Sequence, residues 1–212
     1  MPLPKSGLFA LLVTLGVGLG ATPALVSLLI PTEPQQSPIE WLEQPRPIGK
    51  FELAHAEGLF TNRSFENKLT IVLFGFTHCP DVCPTSLANS VSLKQQLHQS
   101  SVQQDSERQT IEIVFVSVDP ERDSTQRLKE YVTLFDPSLV GVTGSVGMLT
   151  KLAEDLGIQF KVIPDDGDYL VAHSATYSII NSEGNLAGRI RQNFNPEQVA
   201  FHLEARQKGA KL

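Results

Sequence analysis

The sequence predicts an α/β domain, a central mixed sheet with helices on both faces, preceded by an N-terminal transmembrane helix. Three observations predict it. Two almost wholly apolar, β-branched runs, Leu69 to Phe76 and Ile111 to Val118, enclose a helical pattern. Two further apolar runs, Ala175 to Asn181 and Leu186 to Ile190, flank the turn Ser182-Glu183-Gly184. Ahead of these, Leu8 to Ile30 carries no charge over 23 residues.

As a helix that charge-free run is about 34 Å long, against roughly 30 Å of bilayer hydrocarbon, so residues 1–30 are expected to be a membrane anchor. Lys5 precedes it and the next basic residue is Arg46. The positive-inside bias then leaves the N-terminus in the cytoplasm and the rest of the chain on the extracytoplasmic side of a single-pass, bacterial-type inner membrane. A cleaved signal peptide is the alternative. It fits less well, because secretory apolar regions usually run about 7 to 15 residues and no clean A-x-A site follows. Residues 31–47 hold five prolines. That composition favours extended polyproline structure and is read as a stalk, with Trp41 either at the membrane interface or packed on the domain. The globular domain is expected over residues 48–212.

Within it, the two apolar runs read as strands covered on both faces. Between them, Thr85 to His98 places Leu87, Val91 and Leu97 at helical spacing, so the unit is strand, helix, strand with a right-handed parallel crossover. Asp123 and Gln126 suggest a capping box for a second helix to about Phe135, and Val146 to Leu156 reads as a third. The turn at Ser182 to Gly184 predicts an antiparallel hairpin. Asn195 as cap and Pro196 at the first position predict a C-terminal helix.

Composition narrows the function classes. The 212 residues carry a net charge of −6, which argues against nucleic acid or anionic membrane surfaces as partners. Only two cysteines occur, Cys79 and Cys83. They exclude a multi-disulfide scaffold and leave a single bridge, a metal site or a redox pair.

Both lie in Gly75-Phe76-Thr77-His78-Cys79-Pro80-Asp81-Val82-Cys83-Pro84, where a buried strand gives way to a helix. Open α/β sheets place their sites at such strand ends. Pro84 is expected at the first helical position, Cys83 as the cap and Cys79 in the preceding loop. The helix N-terminus should then lower both thiol pKa values and favour the thiolate that binds a metal or attacks a disulfide. A structural disulfide closing this short loop is the plain alternative. A third group separates copper from thiol exchange: His173, in Asp168-Tyr169-Leu170-Val171-Ala172-His173-Ser174, on a loop entering the strand at Ala175. By spacing alone a lone histidine is more often a bystander than a ligand. Asp119, Glu121 and Asp123 follow the second buried strand, and their turn and capping roles outweigh metal binding.

The runs FGFTHCPDVCP, VFVSVDPERD and DYLVAHS, in this order, resemble the Sco/SenC family of copper proteins, over about Pro45 to Lys208. The resemblance implies a thioredoxin-like fold. It also implies one copper held by Cys79, Cys83 and His173, as Cu(I) with Cu(II) left open, and delivery of it to the apo copper A domain of cytochrome c oxidase subunit II. Two soft sulfurs and an imidazole suit three-coordinate Cu(I), whereas a structural zinc would want four protein ligands. His78 is the nearest candidate for a fourth. Three residues separate the cysteines, where thioredoxin-like reductases have two, and His173-Ser174 stands where their cis-proline is expected. Ala172 replaces the acidic residue common before the histidine. The rival reading is a thiol:disulfide oxidoreductase, with Cys79 and Cys83 as its redox pair, that keeps the target's copper-binding cysteines reduced. A thiol peroxidase is weaker, because Thr77 is two residues before Cys79 and not three.

Overall fold

The computed structural model describes residues 37–103, 111–165, 168–174 and 176–207. The expected anchor at 1–30, and 31–36 of the expected stalk, lie outside the described residues. Among those described, no helix is long and apolar enough to cross a membrane.

Among the described residues, ten strands and four α-helices follow in order: β1 Ile39–Pro47, β2 Glu52–His55, β3 Gly58–Thr61, β4 Leu69–Gly75, α1 Val82–Gln103, β5 Ile111–Ser117, α2 Thr125–Thr133, β6 Val140–Thr143, α3 Val146–Leu156, β7 Phe160–Asp165, β8 Asp168–His173, β9 Tyr177–Ile180, β10 Asn185–Ile190 and α4 Pro196–Gln207. Eight strands form one sheet in the order β1-β10-β9-β4-β5-β6-β2-β3, and β7 pairs only with β8. The sheet is mixed. β4, β5 and β6 run parallel, while β9 returns antiparallel on β4. All seven residues of β4 are buried, so this strand is the centre of the core.

The segment read as a stalk is corrected by β1. Residues 39–47 pair with β10 from Ile39 opposite Ile190 to Pro47 opposite Asn185, with a register shift between Trp41 and Arg46. Pro45 and Pro47 are tolerated because β1 is an edge strand, where a missing N–H costs no internal ladder bond. Ile39 is buried and the Trp41 ring receives the Arg206 guanidinium of α4 at 4.4 Å. The globular unit therefore begins at Pro38, not at residue 48.

The third helix and the C-terminal helix lie where the sequence places them. Ser145 caps α3 by accepting from the Met148 N–H, and Asn195 Oδ1 accepts from the Glu197 and Gln198 amides at the start of α4. The second helix is capped by Ser124, whose side chain accepts from the Arg127 N–H, and not by Asp123.

Candidate metal centre

β4 delivers the cysteine loop to the edge of the core. Gly75 ends the strand, and its carbonyl accepts from the Val118 N–H at 2.9 Å. A side chain at Gly75 would press on the Phe115 ring at 2.5 Å and the Cys83 sulfur at 2.8 Å, so the absent Cβ is what lets Cys83 approach the sheet. The Cys79 N–H turns back to the Phe76 carbonyl at 3.3 Å, and the first helical bond runs from the Thr85 N–H to the Asp81 carbonyl.

Helix α1 thus starts at Val82, earlier than expected. Cys83 lies inside its first turn, where Pro84 is also harmless because the first four amides have no helical partner. Instead of Cys83 acting as the cap, the Cys79 sulfur accepts from the Cys83 N–H at 3.4 Å. Cys83 is 1% exposed and Cys79 is half-buried, and both are free thiols. Burial pushes the Cys83 thiol strongly up from its ordinary 9.0, against the lowering effect of a hydrogen bond from the Phe76 backbone. The expected lowering at this cysteine is therefore corrected: burial, the largest cause, raises the thiol pKa.

Asp123 fixes the loop from behind. Fully buried, it accepts from the Thr77 N–H at 2.8 Å, from the Thr77 hydroxyl at 2.5 Å and from the Ser117 hydroxyl at 2.5 Å. It thereby ties the cysteine loop to the end of β5. His78 is partly exposed, with Nδ1 3.9 Å from Asp123 Oδ1 and 3.4 Å from Thr77 Oγ1. Glu121 is exposed.

His173 comes from elsewhere in the chain and from a different element than expected. It ends β8, opposite Phe160 of β7, rather than lying on a loop. Its Nδ1 is 3.1 Å from the Ser174 carbonyl oxygen. A carbonyl only accepts, so Nδ1 carries the proton and Nε2 presents its lone pair. That lone pair lies 3.6 Å from Cys83 Sγ. Burial lowers the His173 pKa, keeping the ring neutral near pH 7, while the Ser174 carbonyl works in the opposite direction. The ring stands edge-on to Phe76 at 6.1 Å.

The geometry suits a soft metal ion. Donors bonded at about 2.3 Å (sulfur) and about 2.0 Å (nitrogen) to one ion stand roughly 3.6 Å apart at angles near tetrahedral or trigonal. The Cys83–His173 separation has that value. Cys79 flanks the pair through its contact with the Cys83 amide, but among the described residues no three His, Cys, Asp or Glu side chains are already gathered in ion-holding geometry.

Of the cluster beside this pair, sequence reasoning singled out Asp119 but missed Arg122. Arg122 donates from Nε to Asp119 Oδ2 at 2.5 Å and from Nη1 to the Tyr169 carbonyl at 3.3 Å. The Tyr169 hydroxyl donates to Asp119 Oδ1 at 2.5 Å; desolvation, followed by that bond, pushes its pKa up to about 12. The signal available in the sequence was an arginine between two acids directly after a buried strand.

Together these features define a thioredoxin-like α/β protein whose strand-to-helix turn offers a dithiol to a facing imidazole. The chain belongs to the SCO1/SenC family, whose sequence model matches residues 41–207. It is 31% identical over 179 residues to a SCO2-like protein of Rickettsia prowazekii, covering 82% of this chain and 84% of that one. Two solved structures with copper bound are similar. ScoI of Arabidopsis thaliana has a TM-score of 0.68 at 32% identity, covering 75% of this chain and 98% of that one. ScoI of Bradyrhizobium japonicum has a TM-score of 0.64 at 32% identity, covering 74% and 98%.

Proposed function

We propose that this chain is a copper-binding protein of cytochrome c oxidase assembly that holds one copper ion through Cys79, Cys83 and His173. We propose further that it passes the ion to the apo copper A domain of oxidase subunit II. The observation that carries the reading is the 3.6 Å approach of the His173 Nε2 lone pair to Cys83 Sγ, with Cys79 alongside. A thiophilic cation fits between Cys83 Sγ and Nε2, which face each other across that gap. Carbonyl-anchored Nδ1 fixes the tautomer that ligation needs. The 23 uncharged residues from Leu8 to Ile30 support an inner-membrane anchor with the domain on the extracytoplasmic side.

A second reading rests on the two free thiols four residues apart, a pair that could exchange with a target disulfide. In that case the protein would keep the target's copper-binding cysteines reduced.

One experiment separates them. Cu(I) is titrated anaerobically into the reduced chain and into its Cys83→Ser and His173→Ala variants, and the loaded and metal-free proteins are then offered to reduced and oxidised copper A domains. The copper reading expects one ion per chain, loss of tight binding in Cys83→Ser, an altered copper spectrum in His173→Ala and transfer to the reduced target. Retention of copper by Cys83→Ser against a chelator would overturn the site. Rapid reduction of the oxidised target without copper transfer favours the exchange reading.

A further inference from the structure

Among the described residues hairpin β7–β8 shares no ladder with the eight-stranded sheet, so side-chain contacts help to set where His173 stands. Arg122 makes several of these contacts. Its guanidinium carbon lies 3.8 Å from the Tyr169 ring centroid and 5.9 Å from that of Phe76, while its nitrogens bond Asp119 and the Tyr169 carbonyl. Tyr169 and His173 are four residues apart on one strand, hence on the same face. Phe76, three residues before Cys79, is edge-on to the His173 ring. Asp119 in turn donates its N–H to Ser117 Oγ, whose hydroxyl proton goes to the Asp123 carboxylate that holds the cysteine loop. A continuous set of contacts therefore runs from the sulfur-bearing loop through Arg122 to the strand that bears the imidazole.

We infer that Arg122 is a positioning residue for His173, setting the gap between the imidazole and the Cys83 sulfur through Tyr169 and Phe76. It touches no metal itself. The inference rests on the reading of His173 as a ligand. Lysine cannot replace Arg122 in this role, because a point charge lacks the planar fork that bonds Asp119 while lying flat on Tyr169. Lysine does keep a positive charge opposite buried Asp119, so Arg122→Lys is the variant suited to testing position apart from folding.

The test has a metal-free and a metal-bound arm. In the metal-free reduced protein, NMR follows the His173 ring protons, which feel the Phe76 ring. In the second arm, Cu(I) affinity is measured for Arg122→Lys with His173 present and in a His173→Ala background. The expected result is displaced His173 resonances and binding weakened on the order of tenfold, the lower range for supporting residues around a ligand, with no further weakening once His173 is gone. Equal weakening in both backgrounds would show a structural role and overturn the inference, as would unchanged resonances. Should His173→Ala alone leave copper affinity and spectrum untouched, the ligand reading fails, and the metal-free resonances still decide whether Arg122 positions the ring.

Discussion

The two halves of the centre are built in opposite ways. Cys83 is set into the core, on the first turn of α1, beneath Gly75 and beside a loop clamped by fully buried Asp123. His173 stands on a two-stranded arm outside the main sheet, whose β7 leaves Val162 and Ile163 exposed. A site made wholly on the rigid sheet would hold its ion in fixed geometry. Here the dithiol is set on the main sheet and the imidazole on a separate hairpin, so the two ligand types are held by different sets of contacts.

The sharpest way to break this comparison is to attack the clamp. Asp123→Ala leaves the half-buried Thr77 amide and hydroxyl and the buried Ser117 hydroxyl without their acceptor, and at about 1–3 kcal/mol for an unsatisfied buried group the loss should reach about 3 kcal/mol. Asp123→Asn can keep the Thr77 amide and Ser117 bonds on its oxygen and donate to the Thr77 hydroxyl, so it should cost no more than about 1 kcal/mol. Denaturant unfolding of the metal-free protein measures both. If alanine costs no more than asparagine, the cysteine half is not held as described.

A smaller effect comes from Gly75→Ala. The added methyl meets two Phe115 ring atoms and the Cys83 sulfur inside contact distance, an overpacking worth about 1–3 kcal/mol. Because the sulfur is one of the displaced atoms, copper affinity should fall alongside the unfolding midpoint. A stable variant with normal copper binding would mean that the close approach is not needed.

What the sequence revealed follows the same division. β4 and β5 were legible because burial on both faces writes an unbroken apolar run, and α3 because its apolar residues repeat at helical spacing. β2, β3 and β6 have four residues each, too few for a period to show. β1 was hidden by its prolines, which an edge strand tolerates and a sequence rule penalises. In the site, the dithiol was visible from local spacing, whereas His173 gained its meaning from family resemblance, because no local pattern ties residue 173 to residue 83. Asp123 was taken for a cap since its partners, Thr77 and Ser117, come from two other segments.

The smallest expected effect concerns proton linkage at Cys83. In the unfolded chain its thiol ionises near the ordinary 9.0, while in the folded protein burial holds the pKa well above that. Between those values the unfolded state binds fewer protons than the native state, so this group's stabilising contribution is complete below pH 9 and falls as pH rises beyond it. At pH 9.5 the loss should be under about 1 kcal/mol, steepening toward about 1.4 kcal/mol per pH unit at higher pH. The three tyrosines, which burial holds above their ordinary 10.0, add their own loss at alkaline pH, so the informative quantity is a difference. Stability of the reduced, metal-free protein is measured by denaturant at pH 7.0, 8.0, 9.5 and 10.5, beside Cys83→Ser, whose hydroxyl does not ionise in this range. The wild-type protein should lose stability faster than the variant on the alkaline side, with equal slopes below pH 8. Parallel curves throughout would mean that the Cys83 thiol ionises as readily in the fold as in the unfolded chain, and the contrast between a core-set sulfur and an arm-borne imidazole would lose its physical basis.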